Sequence, residues 1–290
     1  MDDPAVDRNV DLGDLSFHYR EYAGPGRPVV LLHGVASNSR IWIMVGASLG
    51  QRFHALALDQ RGHGTSAKPD SGYDFPSVAG DLAEFIEELR LDRPVIVGHS
   101  WGGNVALEFA ATHPDVAAGL VLVDGGFLEI SGRPGMTWER AEIEMAPPDL
   151  TKLTPAQLIE GAQRWELGKF WSEEVEASLM GNFEVTEAGT IRPYLTRDNH
   201  MQVVRALWEQ KPSELCPNVR CPTLFVAAAR EGEGRAKEWL DMKREAIERA
   251  SKRLADCEVA WFEDTVHDIP LQRPKELARR IEEFVLGLEE

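Results

Sequence analysis

The chain has 290 residues, of which 43% are hydrophobic and 27% are charged, proportions that are ordinary for a soluble globular protein. Its 48 acidic and 31 basic residues give a net charge of −17, which disfavours nucleic acid and anionic membrane surfaces as partners. No apolar stretch reaches the roughly 18 to 20 residues that span a bilayer, and the acidic start Met1–Pro4 lacks the features of a signal peptide, so we expect a cytoplasmic protein.

Short apolar runs alternate with helical patterns over the first 126 residues. The apolar runs predict strands at residues 15–22, 29–32, 53–58, 94–97 and 120–123. The patterns between them predict helices at residues 39–49, 77–91 and 104–113. This alternation predicts right-handed crossovers and an α/β fold, in which a mainly parallel sheet carries helices on both faces.

The alternation stops at residue 127 and resumes at about residue 215. The stretch between is helical and loop-rich, and at about ninety residues it is too long for a simple loop. Further strands at 223–226 and 259–262 and helices at 235–254 and 274–288 complete the pattern. We predict a core of residues 1–126 and 215–290, with a helical cap subdomain, residues 127–214, inserted after the sixth strand. Such a cap lies above the carboxyl ends of the strands, where sites form in open α/β sheets.

The segment Gly98–Gly103 is the most informative in the chain, with the sequence Gly-His-Ser-Trp-Gly-Gly. It follows the apolar run Val95–Val97 and precedes a helical pattern. A G-x-S-x-G motif in that context predicts a nucleophile elbow, a sharp turn that lifts a serine hydroxyl above the sheet. Glycines are needed around the serine because strand and helix approach too closely there for a Cβ atom. Ser100 is therefore the candidate nucleophile.

A serine nucleophile needs a base to take its proton and an acid to orient that base. The chain has eight histidines, and His267 is the one that follows the last predicted strand and precedes the last predicted helix. That place in the chain makes His267 the candidate base.

Four markers, in chain order, give residues 15–288 a resemblance to the α/β-hydrolase family. They are His33-Gly34 after an apolar strand, the segment Asp59–Ser66, the Gly98–Gly103 elbow and the Val266-His267 loop. The resemblance implies a nucleophile, an acid and a base in the order Ser, Asp or Glu, His. It also implies an oxyanion hole formed by the backbone N–H groups of Val35 and Trp101, each contributing on the order of 3 kcal/mol. No metal ion and no organic cofactor are implied.

The acid of this triad stays open at the level of sequence. Asp124 ends the strand after the elbow helix, a position that some members of the family use. Glu231 follows the next strand, where most members place the acid, but its neighbouring glycines and charges predict an exposed loop. Asp268 is adjacent to the base and is expected to point elsewhere. We place Asp124 ahead of Glu231.

The resemblance implies a serine hydrolase that cleaves a carboxylic ester, a lactone or a thioester through an acyl-enzyme. A carbon–carbon bond hydrolase or a perhydrolase would use the same triad, and a hydrolase-like protein that only binds a small ligand is the alternative without catalysis. Serine at position 100 argues against haloalkane dehalogenases and epoxide hydrolases, which attack with a carboxylate.

The expected partner is a small ester-type molecule, and the expected state is a monomer or a homodimer. The large side chains of the cap either line a pocket for this molecule or pack the cap helices against one another. The sequence does not decide between these two hypotheses. They are Trp138, Trp165, Trp171, Trp208, Met136, Met145, Met180 and Met201. The acyl length and the identity of the substrate therefore stay open as well.

Overall fold

The computed structural model describes residues 3–288, which contain ten strands. The strands are β1 (Val6–Leu12), β2 (Leu15–Ala23), β3 (Gly26–Leu32), β4 (Phe53–Leu58), β5 (Val95–His99), β6 (Gly119–Val123), β7 (Phe183–Val185), β8 (Ile191–Pro193), β9 (Thr223–Ala229) and β10 (Cys257–Glu263). The predicted core strands are all present. Strand β1 precedes the predicted opening strand, β2, and pairs with it as a hairpin.

The same part of the chain contains eleven α-helices. They are α1 (Ile43–Leu49), α2 (Phe75–Glu88), α3 (Trp101–Thr112), α4 (Trp138–Glu144), α5 (Pro155–Gln163), α6 (Glu173–Met180), α7 (Arg197–Glu209), α8 (Pro212–Leu215), α9 (Arg235–Ser251), α10 (Ile269–Gln272) and α11 (Pro274–Gly287). Short 3-10 turns lie at Ser39–Trp42, Ile130–Gly132, Glu166–Phe170 and Cys216–Asn218. None of the described helices combines the length and apolar character needed to cross a membrane.

Eight of the strands form one sheet in the order β1-β2-β4-β3-β5-β6-β9-β10. Strand β2 pairs antiparallel with both β1 and β4, whereas each remaining pair of neighbours is parallel. The prediction of a mainly parallel sheet is confirmed. The carboxyl ends of β3, β5, β6 and β9 consequently lie side by side along one edge.

Both faces of the sheet are covered, because successive side chains of a strand point to opposite faces. In β5, for example, Ile96 belongs to one hydrophobic cluster, and Val95 and Val97 belong to the other. Side chains of α2, α3 and α9 complete the first cluster, and those of α1, α10 and α11 complete the second. The predicted cover of helices on both faces is confirmed.

The segment between β6 and β9 contains the helices α4 to α8 and the hairpin of β7 and β8. The sequence pattern indicated only helices and loops here, because each hairpin strand is three residues long, too short to show a two-residue period. Buried side chains of this insertion, Val175 and Val203 among them, join the two clusters that cover the sheet. The insertion therefore packs directly onto the core.

Candidate active site

Ser100 lies in the turn that joins β5 to α3. Its backbone has φ 53° and ψ −121°, a region that residues other than glycine rarely adopt. A Cβ atom on Gly98 would lie 2.2 Å from the carbonyl oxygen of Gly102, and one on Gly102 would lie 2.5 Å from that of His33. The backbone N–H of Ser100 donates to the carbonyl of Val123, at 2.9 Å. The turn is thus strained, and it depends on glycine at both flanking positions.

His267 and Asp124 form a hydrogen-bonded pair. The distance from His267 Nδ1 to Asp124 Oδ2 is 2.7 Å. Since an ionised carboxylate only accepts, Nδ1 carries the proton and Nε2 is the nitrogen that can accept one. About half of the imidazole surface, 51%, is exposed, and the ring lines the same cavity as Ser100. The carbonyl of His267 accepts from His99 Nε2 at 3.0 Å, which anchors the loop to the end of β5.

The charges around His267 raise its pKa. Burial alone lowers the pKa of this imidazole, but the hydrogen bond and the negative charge of Asp124 raise it, and the charge of Asp268 adds to the rise. The positive charge of Lys243 opposes the rise. The net direction is upward from the ordinary histidine value, so the neutral form that can act as a base is lost at a higher pH than for a free histidine.

Asp124 is buried and accepts hydrogen bonds from three groups. It follows β6 directly with a positive φ of 45°. Its Oδ1 accepts from the Ala228 N–H at 3.0 Å and from Lys243 Nζ at 2.8 Å, and its Oδ2 lies 3.0 Å from Lys243 Nζ in addition to its bond with His267. Burial raises the pKa of this carboxyl, but the bonds and charges of His267 and Lys243 lower it below the ordinary value. Asp124 is therefore held in the ionised form.

Sequence reasoning missed Lys243. This lysine lies in the middle of α9, is 5% exposed, and donates to the Ala228 carbonyl at 2.8 Å as well as to Asp124. A signal was present in the sequence, because Lys243 is three residues after the buried Leu240 and four before the buried Ile247. A lysine at that spacing occupies the apolar stripe of an amphipathic helix, where a charge requires a partner.

Glu231 and Asp268, the other candidate acids, lie in different surroundings. The Glu231 side chain is 68% exposed and accepts from Arg244 Nη2 at 3.2 Å. Asp268 lines a smaller neighbouring cavity of about 200 Å³ and acts on His267 through its charge. The carboxylate that the structure brings to the imidazole Nδ1 is that of Asp124.

The two candidate oxyanion donors, Val35 and Trp101, line the cavity that contains Ser100 and His267. Trp101 is the first residue of α3, so its backbone N–H has no partner within the helix and lies at the positive end of the helix dipole. Val35 follows Gly34, where an added Cβ would lie 3.1 Å from the Ser100 Cβ atom. Both backbone segments thus approach Ser100 closely.

Two buried histidines support the loop that carries Val35. His63 Nε2 accepts from the backbone N–H of Ala36 at 3.2 Å, and Ala36 has a positive φ of 53°. The other ring nitrogen of His63, Nδ1, donates to the Arg61 carbonyl at 2.8 Å. The second histidine, His33, accepts at Nε2 from the backbone N–H of Gln60 at 3.0 Å. Burial lowers the pKa of His63 to about 3, so it stays a neutral acceptor. The segment Asp59–Ser66, one of the four markers of the family resemblance, thus supports the loop beside Ser100.

The cavity at Ser100 has a volume of about 500 Å³ and a largely apolar lining. Its apolar side chains include Phe127, Leu128, Ile130, Leu207, Trp239 and Leu240. Of the large side chains of residues 127–214 that were considered from sequence, Met145 lines it. Trp138 instead packs edge-to-face on Trp208, with their ring centroids 6.0 Å apart, and Trp165 is exposed. Among residues 3–288, no group of three or more His, Cys, Asp and Glu side chains is arranged to hold a metal ion.

Known proteins are similar to this chain in sequence and in fold. The model of the alpha/beta hydrolase family matches residues 29–280. A segment of 122 residues is 37% identical to 2-(acetamidomethylene)succinate hydrolase of Mesorhizobium japonicum, and this match covers 42% of the chain and 44% of the relative. The chain is therefore aligned with less than half of that relative's length.

Two further similarities extend over nearly the whole chain. N-formylmaleamate deformylase of Pseudomonas putida is 29% identical over 266 residues, which cover 90% of each protein. The crystal structure of E-2-(acetamidomethylene)succinate hydrolase superposes with a TM-score of 0.78 at 24% identity, over 97% of this chain and 99% of that one. The structural similarity shows a common fold.

Proposed function

Because the chain belongs to the α/β-hydrolase family, we propose that it is a serine hydrolase that cleaves a carboxylic ester, a lactone or a thioester through an acyl-enzyme. One observation carries the proposal: His267 is bonded to the buried Asp124 at 2.7 Å in the cavity that Ser100 also lines. A nucleophile, a base and an orienting acid together are the requirement for this chemistry.

In the acylation step, Ser100 Oγ attacks the carbonyl carbon of the substrate while His267 Nε2 takes the hydroxyl proton. The carbonyl oxygen becomes negative and is stabilised by the backbone N–H groups of Val35 and Trp101. Asp124 keeps the proton of the imidazole on Nδ1 and stabilises the imidazolium that forms. The imidazolium then gives its Nε2 proton to the leaving oxygen, or to the leaving sulfur of a thioester, as that bond to the carbonyl carbon breaks.

In the deacylation step, a water molecule takes the place of the leaving group. His267 Nε2 accepts a proton from this water as its oxygen attacks the carbonyl carbon of the acyl-enzyme. The same N–H groups stabilise the second oxyanion, and the proton returns to Ser100 Oγ as the acid product leaves. The enzyme is regenerated, and one water is consumed for each bond cleaved.

The lining of the cavity favours an uncharged, apolar group next to the scissile bond. The two cationic residues of the lining are both paired, Lys243 with Asp124 and Arg230 with Glu166. A substrate carboxylate would have to displace Asp124 from the buried Lys243, whereas the half-exposed pair of Arg230 and Glu166 is weak and is a small obstacle. The names of two relatives nevertheless describe a hydrolase of an acetamido compound and the removal of a formyl group. Hydrolysis of an amide by the same residues is therefore the second candidate.

The test is a panel of p-nitrophenyl esters of increasing acyl length, with matched anilides, a lactone and a thioester, assayed with the wild-type chain and Ser100→Ala. We expect ester hydrolysis, and a loss of about 10⁴- to 10⁶-fold in kcat for the variant, as when a serine nucleophile is removed. A fluorophosphonate should label the wild-type protein at Ser100 and leave the variant unlabelled.

Other outcomes of this panel are equally informative. Preferred cleavage of the anilides would replace the ester with the amide candidate. A β-diketone added to the panel tests carbon–carbon bond cleavage, and hydrogen peroxide added to an ester reaction tests peracid formation. Either activity, with the same dependence on Ser100, would change the proposed reaction class. Absence of both turnover and labelling would support a protein that only binds a small ligand.

We also propose a cytoplasmic location and a monomeric or homodimeric state, which rest on the sequence alone. Cell fractionation and light scattering of the purified chain would check them.

A further inference from the structure

We propose that Lys243 is a positioning residue of this site, which holds the Asp124 carboxylate on both oxygens so that Oδ2 is presented to His267. The proposal rests on the proposed function, since it assigns a role within the same triad. It concerns a residue of α9, outside the nucleophile, acid and base.

The contacts of Lys243 satisfy its hydrogen-bonding capacity. An ammonium group has three N–H donors. Lys243 Nζ lies 2.8 Å from Asp124 Oδ1, 3.0 Å from Asp124 Oδ2 and 2.8 Å from the Ala228 carbonyl oxygen. A buried lysine is costly unless it is paired and fully hydrogen-bonded, and these three acceptors meet that requirement.

The contacts also leave Asp124 little freedom to rotate. Its Oδ1 is bound by the Ala228 N–H and by Lys243, and its Oδ2 is bound by Lys243 and by His267. Without Lys243, one backbone N–H would hold the carboxylate from the side opposite the imidazole. Lys243 thus ties Asp124 to the end of β9 at Ala228, the neighbouring strand.

The same contact changes the charge that His267 experiences. Asp124 at the end of β6 and Asp268 on the same loop as His267 raise the pKa of the imidazole, and Lys243 on α9 lowers it. The ring of His99, at the end of β5, lies 4.8 Å away between centroids, and burial lowers its pKa to about 4, so it is neutral. The Arg230 and Glu166 pair lines the cavity as well. Lys243 neutralises the nearest of the negative charges, so a neutral residue at 243 should raise the pKa of His267.

The experiment compares Lys243→Met with the wild-type chain and with Lys237→Met. Methionine keeps most of the side-chain length and removes the charge. Lys237 is on the same helix, is exposed and pairs with Asp241, so its replacement controls for a general loss of positive charge. Three quantities are measured against pH: kcat/KM for the best ester, the rate of Ser100 labelling by a fluorophosphonate, and the NMR titration of the His267 imidazole.

We expect Lys243→Met to lower kcat/KM by about tenfold or more at the optimum, because the carboxylate that orients the base is less firmly held. The acid limb of its pH profile and the His267 titration should both move to higher pH. Lys237→Met should match the wild type in all three measurements. A higher titration by itself reports the lost cation, because the charge of Lys243 lowers the pKa of His267. The position of the carboxylate is therefore judged from kcat/KM in the pH range where His267 is neutral. Wild-type kcat/KM there in folded Lys243→Met would overturn the proposal, as would an equal effect of Lys237→Met.

Folding and function are kept separate in this test. Circular dichroism shows whether Lys243→Met folds, and Lys243→Gln is the second variant. If neither folds, ¹⁵N-lysine NMR of the wild-type chain should show a slowly exchanging ammonium signal that Asp124→Asn displaces, and absence of that signal would overturn the proposal. If the wild-type chain neither hydrolyses nor labels, the proposed function fails, but the ¹⁵N-lysine signal of Lys243 and its displacement in Asp124→Asn still show whether Lys243 holds this carboxylate.

Discussion

The neighbouring strands β6 and β9 both end next to a candidate acid, and the two ends differ in geometry. Asp124 follows β6 directly and turns back with a positive φ, so the Ala228 N–H of β9 can donate to its carboxylate. Glu231 lies two residues beyond the end of β9, in a loop whose charges face solvent. The first carboxylate is buried and is bound by His267 and by Lys243, whereas the second accepts from one exposed arginine.

This difference teaches that proximity to a strand end is not enough to make an orienting acid. The acid needs a fixed position and a low-dielectric environment, because an electrostatic interaction is weakened by water and salt. An exposed pair such as Glu231 and Arg244 contributes little, typically about 0 to 1 kcal/mol. A buried pair is costly to break, since one partner is left as an uncompensated charge.

Among the variants that test this comparison, Asp124→Asn should lose the most activity. An amide at this position favours the wrong tautomer of His267, so we expect kcat for the best ester to fall by about 10³- to 10⁴-fold. The matched control is Glu231→Gln, for which we expect activity within about twofold of the wild type, as for most exposed sites. Loss of activity in Glu231→Gln with retention in Asp124→Asn would reverse the assignment.

Asp124→Asn also leaves Lys243 buried without its carboxylate, so its stability needs a separate measurement. We expect the free energy of unfolding to fall by about 3 to 5 kcal/mol, measured by urea denaturation. In the double variant Asp124→Asn with Lys243→Met, most of that stability should return while the activity stays low. Recovery of activity together with stability would mean that the single variant had lost activity through misfolding.

The pH dependence of the wild-type chain sharpens the same comparison. Burial lowers the pKa of His267, but its bond to Asp124 and the charges of Asp124 and Asp268 raise it above the ordinary value, and the proposed base works in its neutral form. Activity should therefore be full above that pKa and fall as pH drops through it, about tenfold per pH unit well below it. The measurement is kcat/KM from pH 5 to 9, and a limb at or below the ordinary histidine pKa of about 6.5 would contradict the raised pKa.

The smallest change in stability and activity is expected for the exposed ion pair between Arg244 of α9 and Glu231 in the loop after β9. Arg244→Met removes the contact with Glu231, and we expect the free energy of unfolding to change by at most about 1 kcal/mol, with kcat/KM unaffected. Urea denaturation and the ester assay check both values. A large loss of activity would show that the loop after β9 takes part in the site after all.

Much of the fold could be predicted because its signals are local. The core strands are short apolar runs, and the elbow at Ser100 is a contiguous motif whose glycines are required by close backbone approach. The β7 and β8 hairpin was missed because three residues are too few for a period-two pattern. Lys243 was missed because a polar residue on the apolar face of α9 signals only that a buried partner exists, without naming it.

The sequence by itself determined the fold class, the elbow at Ser100 and the place of His267 after the last strand, because each depends on residues adjacent in the chain. The tertiary structure decided which carboxylate reaches the imidazole of His267 and which cation pairs with that carboxylate. It also decided which side chains line the cavity. Those choices depend on burial and on distances between residues such as Asp124, Lys243 and His267, which lie more than one hundred positions apart in two of their pairings. Electrostatic interactions act through space, and so their outcome is decided only when the strands and helices are packed.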